Sequence, residues 1–189
     1  MADQGVEGLL SPFLRSQRVK AARPYLKGRV LDFGCGSGVI ADWVPPDQYL
    51  GVDVNGLSIE RASRLHPQHR FQSTLPPVEP AFDTIICLAV IEHIQDPAAC
   101  LRDLADRLGD APENSIVCTT PHPAVGWVHT AGASIRFFSR HANDEHEELL
   151  NRVRLDALAN DCGLILAVYR RFLLGANQLA VFQRNRDFL

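Results

Sequence analysis

Three glycines at alternate positions, Gly34, Gly36 and Gly38, follow Asp32 near the end of a short apolar run, Val30-Leu31-Asp32-Phe33. With every second Cβ removed, the backbone can take positive φ and a ligand can lie against bare peptide at the mouth of a following helix. A second acid, Asp53, ends the next apolar run, Tyr49-Leu50-Gly51-Val52. A carboxylate placed there can accept two hydroxyl protons in short, charge-assisted hydrogen bonds. Together these residues describe a site for a nucleotide-type ligand. The dinucleotide fingerprint G-x-G-x-x-G would need its third glycine where Val39 stands, so a nicotinamide cofactor is disfavoured. The bland alternative, a glycine turn that only packs strand on helix, does not account for the acid in the second run.

The run from Leu31 to Gly38, with Asp53 behind it, resembles motifs I and II of the class I, Rossmann-like S-adenosylmethionine-dependent methyltransferases. The segment Ala89-Val90-Ile91-Glu92-His93-Ile94-Gln95-Asp96-Pro97 resembles motif IV, in the version common among small-molecule methyltransferases. The resemblance covers nearly the whole chain from about residue 28. It implies S-adenosyl-L-methionine as cofactor and S-adenosyl-L-homocysteine as product. The implied cofactor residues are Asp32, Gly34, Gly36, Asp53 and Val54, with Ser73, Thr74 and Leu88 lining the adenine and methionine ends. In that family the glycine turn accommodates the methionine part and the acid after the second strand accepts from both ribose hydroxyls.

Two departures narrow the resemblance. Many relatives place an acid against the adenine amino group after the third strand, whereas this chain has Gln72-Ser73-Thr74-Leu75, so a hydroxyl or a backbone carbonyl must serve. The Asp/Asn-Pro-Pro-aromatic tetrad, which resembles the exocyclic amine methyltransferases of nucleic acid, is absent after the fourth strand.

Methyl transfer from a sulfonium is an in-line displacement in which the protein mainly aligns the nucleophile and removes water, so few side chains need be catalytic. His93 is the candidate base, because it follows the fourth strand and imidazole titrates in the useful range. Its other reading is a residue that fixes the loop or lines the pocket. His122, Trp127, Phe138 and His141 are the candidate acceptor pocket, with aromatic surface for shape and histidine for polarity. His122, His129, His141 and His146 with the acids from Asp144 to Glu148 also invite a metal reading. They lack H-E-x-x-H or another tight ligand spacing, and acids before a helix are expected from its dipole, so no metal is expected.

The elements that must hold these residues alternate between strand and helix, which predicts a doubly wound α/β sheet with helices on both faces. By resemblance it has seven strands in the order 3-2-1-4-5-7-6, the last antiparallel. Leu9 to Tyr25 reads as a helix or helix pair with a basic outer face of Arg15, Arg18, Lys20 and Arg23. That face is either solvated or, through Arg15 or Arg18, in reach of a ligand carboxylate. Ser37 to Val44 reads as a helix stopped by Pro45-Pro46. Asn55 caps a helix from Gly56 to Leu65, and Asp96 caps one from Pro97 to Leu108. Strands are expected near His69–Gln72, Phe82–Leu88, Ser115–Thr119, Leu164–Leu174 and Asn177–Arg184, with a helix from Asp144 to Asn160.

The 189 residues suit one domain, 1–189, with an N-terminal helical cap over 1–27 and a substrate loop over 120–143. A net charge of −3 argues against a general affinity for nucleic acid or anionic membrane. Five scattered cysteines without C-x-x-C suit reduced thiols in a cytosolic core. With no secretory pattern at the N-terminus and no run long enough to span a bilayer, a cytoplasmic protein is expected. The expected function is methyl transfer to an O, N or C nucleophile of a small-molecule acceptor. A non-catalytic S-adenosylmethionine-binding or regulatory protein of the same fold is the alternative.

Overall fold

The computed structural model describes residues 4–79, 81–123 and 150–185. Seven strands form one sheet: β1 Val30–Phe33, β2 Tyr49–Val52, β3 Arg70–Gln72, β4 Thr84–Leu88, β5 Ser115–Pro121, β6 Leu164–Phe172 and β7 Asn177–Arg184. Their order is β3-β2-β1-β4-β5-β7-β6, as the resemblance implied. The pairs β1–β2, β1–β4, β2–β3 and β4–β5 are parallel, while β7 runs antiparallel to both β5 and β6. Four helices are described: α1 Gln4–Ala22, α2 Gly56–Leu65, α3 Pro97–Ala105 and α4 Arg152–Asp161.

Strand side chains alternate between faces, and the central strands are apolar at nearly every position, so each face finds its own core. Leu31, Ile85, Cys87, Ile116, Cys118 and Phe182 pack on one face with Leu101 and Leu104 of α3 and Leu155 of α4. Val30, Ile86, Val117 and Val181 pack on the other with Val19 and Ala22 of α1 and with Ile40 and Tyr49. Asp32, two residues after Val30, shares the α1 face. The five cysteines are free thiols.

α1 is pinned across the carboxyl ends of the strands by long side chains. Arg18 Nε donates to Asn177 Oδ1 at 3.1 Å, and Arg170 Nη2 donates to the Ala21 carbonyl at 2.9 Å. The cap of α2 is as expected, since Asn55 Oδ1 accepts from the Leu57 and Ser58 amides. Asp96 caps α3 through the Ala99 amide at 2.8 Å.

One expected element is absent. Ser37 to Val44 is not an α-helix but a series of tight turns ending in a 3₁₀ turn, Ala41–Trp43. Gly36 and Gly38 have φ of +54° and +78°, which a right-handed helix does not allow. The amides of Gly38, Ala41 and Trp43 then reach carbonyls three residues back, at Cys35, Gly38 and Ile40. Pro45 and Pro46 stop the chain before a full helical turn closes. The last helix, α4, begins at Arg152 with Asn151 as its extended N-cap, so the expected Asp144–Asn160 helix does not run through Leu150 and Asn151; its residues 144–149 lie outside the described residues.

Candidate functional site

The glycine turn opens onto a cavity of about 470 Å³. Its floor is the carboxyl end of β1 and β2, its far wall is the turn after β4, and α1 crosses above. Of the residues expected from the sequence, Asp32, Gly34, Gly36, Asp53, Val54, Leu88 and His93 line it together. Ser73 and Thr74 do not; they are exposed beyond the end of β3. His122 lies just past β5, with its amide bonded to the Ala176 carbonyl at 2.9 Å, and is not part of the lining. Slight burial and then the charge of Arg171 lower its pKa. Trp127, Phe138 and His141 lie outside the described residues, as does most of the expected substrate loop.

The glycines divide the work. A Cβ on Gly34 would sit 2.3 Å from Val90 Cγ2, so this position lets the turn pack against the wall. A Cβ on Gly36 would meet nothing within 4 Å. Gly36 is therefore the bare peptide that faces the open cavity. Among the described residues no side chain plugs the turn at Gly36.

Asp53 closes the turn from the side. One carboxylate oxygen accepts from the Gly36 amide and the other from the Asn55 amide, each at 2.9 Å. A carboxylate has about four acceptor positions, so two remain for hydroxyl donors within the cavity. This test of fit is met for a nucleoside: a polyol acceptor beside a cradle of peptide without side chains.

Asp32 lies beneath the turn, 3% exposed, and Oδ2 accepts from the Tyr49 hydroxyl at 2.8 Å. Burial pushes its pKa up to about 7, against the lowering effect of Tyr49 and with a further rise from Asp53. The folded state thus keeps the Asp32 proton between about pH 4 and 7 while the unfolded chain releases it. Stability from this group is full below the ordinary carboxylate range and is lost as pH rises toward 7. Asp32→Asn is expected to flatten the fall in melting temperature between pH 4.5 and 7.5, removing an effect of roughly 2–4 kcal/mol. Melting curves across that range check it, and parallel profiles for both proteins would contradict it.

Several lining residues were not among the cofactor residues expected from the sequence. Arg15 and Arg18, weighed there only as alternatives to a solvated face, both border the cavity. Arg15 Nη1 approaches Ser37 Oγ at 3.5 Å. Burial lowers the Arg18 pKa, Glu92 opposes that and Arg15 adds to it. Ala89, at φ +56°, turns the chain away from β4 and presents Val90 and His93 to the cavity. Non-glycine residues rarely adopt this conformation, and Ile91 just after it is buried. Among the described residues no group of three His, Cys, Asp or Glu side chains could hold a metal ion. No helix among them is long and apolar enough to cross a membrane.

Comparison with known proteins shows the family and the fold. The family described as "Methyltransferase domain" matches residues 10–167. A ubiquinone biosynthesis O-methyltransferase of Psychrobacter arcticus is 28% identical over 178 residues, covering 83% of this chain and 67% of that protein. The protein of the same name from Dinoroseobacter shibae is 30% identical over 115 residues, covering 54% of this chain and 44% of its own. The chain thus spans from under half to two thirds of the length of these curated relatives. In fold it is similar to a magnesium protoporphyrin IX methyltransferase from Synechocystis PCC 6803 solved with bound S-adenosylhomocysteine. The TM-score is 0.60 at 16% identity, over 96% of this chain and 84% of that one.

Proposed function

The chain belongs to the methyltransferase-domain family, and from that premise we propose that it transfers a methyl group from S-adenosyl-L-methionine to a small-molecule acceptor. The observation that carries this reading is the pairing of open Gly36 with Asp53, whose carboxylate keeps two acceptor positions in reserve. Relatives named O-methyltransferases favour a hydroxyl over a nitrogen or carbon nucleophile. The whole chain, 1–189, is read as one domain, with 1–27 as its helical cap and 120–143 as the segment that selects the acceptor. The acceptor is read as a cytoplasmic small molecule rather than a nucleic acid or a membrane.

When bound, the cofactor supplies a methyl group already activated on a sulfonium sulfur. The protein's share is holding and drying. Asp53 and the Gly36 peptide take the nucleoside, Val54 and Leu88 give it apolar surface, and Arg15 and Arg18 offer guanidinium groups to a carboxylate from the α1 side. Asp32, when it ionises, sets negative charge under the turn, where a cationic ligand is favoured. His93 lines the far wall, which supports reading it as the base that accepts the proton of an acceptor hydroxyl as it attacks.

Incubation with a panel of phenolic and other small hydroxyl compounds is expected to release S-adenosylhomocysteine in proportion to methylated product. His93→Ala is expected to lower kcat about 100-fold while leaving S-adenosylhomocysteine affinity within about twofold, the range of one general base. Turnover that survives at every pH would leave His93 a wall residue. Binding without release of product from any acceptor would remove the transferase reading.

A further inference from the structure

The one buried side-chain hydrogen bond beneath the glycine turn is not explained by cofactor contact, because Tyr49 does not line the cavity. Tyr49 opens β2 in register with Val30, and Gly51 stands opposite Asp32. The missing side chain at Gly51 leaves room for Cys35 Sγ and the Phe71 ring, which a Cβ there would meet at 3.0 and 2.5 Å. Tyr49 packs edge-on against Phe71 and His69, with ring centroids 5.5 and 5.3 Å away. The ring is thus held from two sides, 3% exposed, and its hydroxyl is aimed at Asp32 Oδ2.

We propose that Tyr49 is a positioning residue that orients the Asp32 carboxyl group under the turn and favours its ionised form, so that the cavity can receive the ammonium of the cofactor's amino-acid end. This rests on the reading of the cavity as an S-adenosylmethionine site. The physical need is plain. Asp32 is buried and Asp53 adds a like charge, and both favour the neutral acid. The Tyr49 O–H is the group that favours the anion. Burial, then the charge of Asp32, holds the phenol far above its ordinary range, so it stays a donor. The groups facing Asp32 are Tyr49 from β2, Asp53 just after it and Cys35 from the turn. Across the cavity stand Arg15 and Arg18 from α1 and His93 after β4. Cys35 stays a neutral thiol, its pKa raised by burial and then by both acids. Binding of an ammonium beside Asp32 therefore displaces a proton near neutral pH.

Calorimetry from pH 5.5 to 9 tests this with two nucleosides. S-adenosylhomocysteine carries the ammonium, whereas 5′-deoxy-5′-methylthioadenosine lacks the whole amino-acid end. Affinity of the wild type for the first is expected to climb through about pH 7 with proton release, and for the second to stay flat. In Tyr49→Phe the climb should move up by about one pH unit, giving about fivefold weaker binding at pH 7 that recovers by pH 9. Asp32→Asn should bind weakly with no climb. A Tyr49→Phe profile that superimposes on the wild type overturns the proposal. Should that variant not fold, Asp32→Asn decides: a retained climb overturns the proposal and a flat profile supports it. A wild type that binds neither nucleoside overturns the site reading itself, a different result from binding without the pH climb.

Discussion

Asp53→Ala is expected to weaken S-adenosylhomocysteine binding roughly a hundredfold, equivalent to ~3 kcal/mol, while the sheet stays folded. The side chain is the only acceptor for the Gly36 amide among the described hydrogen bonds, and it also accepts from the Asn55 amide. Its loss removes the two acceptor positions offered to hydroxyl groups and at the same time loosens the turn that forms the cradle. Asp53→Asn separates the two effects, because one amide oxygen can hold the Gly36 N–H but the NH₂ group cannot accept from a hydroxyl. Calorimetric titration of the three proteins should give the order wild type, Asn, Ala. Equal affinities would place the nucleoside elsewhere.

A side chain at Gly36 acts by a different route. Gly36→Val puts a branched group at φ +54° into open space, with nothing within 4 Å to push back. The fold should survive, at a cost of about 1–2 kcal/mol for the left-handed backbone. The branched group would occupy the space the ligand needs, so binding should fall on the order of a thousandfold, near the loss of ~4 kcal/mol. Gly34 is the contrasting position, since a Cβ there runs into Val90 and would strain the turn itself. Thermal melting and S-adenosylhomocysteine titration of Gly36→Val check both halves: a folded protein that still binds would show that the ligand does not lie on this peptide.

What could be read from the residues was what depends on local pattern. Apolar runs ending in acids located β1 and β2, and β7 matches its expected bounds, Asn177–Arg184. The caps at Asn55 and Asp96 were legible because a short polar side chain before a helical run has one good use. The order of the strands came from resemblance, since no pairing is written in a single run. The segment after the turn misled because Val39, Ile40 and Trp43 have helical spacing, yet positive φ at Gly36 and Gly38 breaks the helix before it can start. Ser73 and Thr74 stood at the expected place in the chain, but β3 ends at Gln72 and leaves them exposed beyond the cavity. Tyr49 could not be paired with Asp32 by spacing, because the two meet only when β2 lies in register beside β1. Likewise Arg18 reaches the cavity by way of Asn177, a partner 159 residues away. Local composition sets elements; register and long side chains set the site.

Melting the wild-type protein with S-adenosylhomocysteine or NAD bears most directly on the claim that the Gly36 peptide and Asp53 hold a sulfonium nucleoside. A ligand that binds only the folded state raises the melting temperature in step with its concentration. The expected result is a dose-dependent rise with S-adenosylhomocysteine, none with NAD, and loss of the rise in Asp53→Ala. A rise with NAD and none with S-adenosylhomocysteine would contradict it.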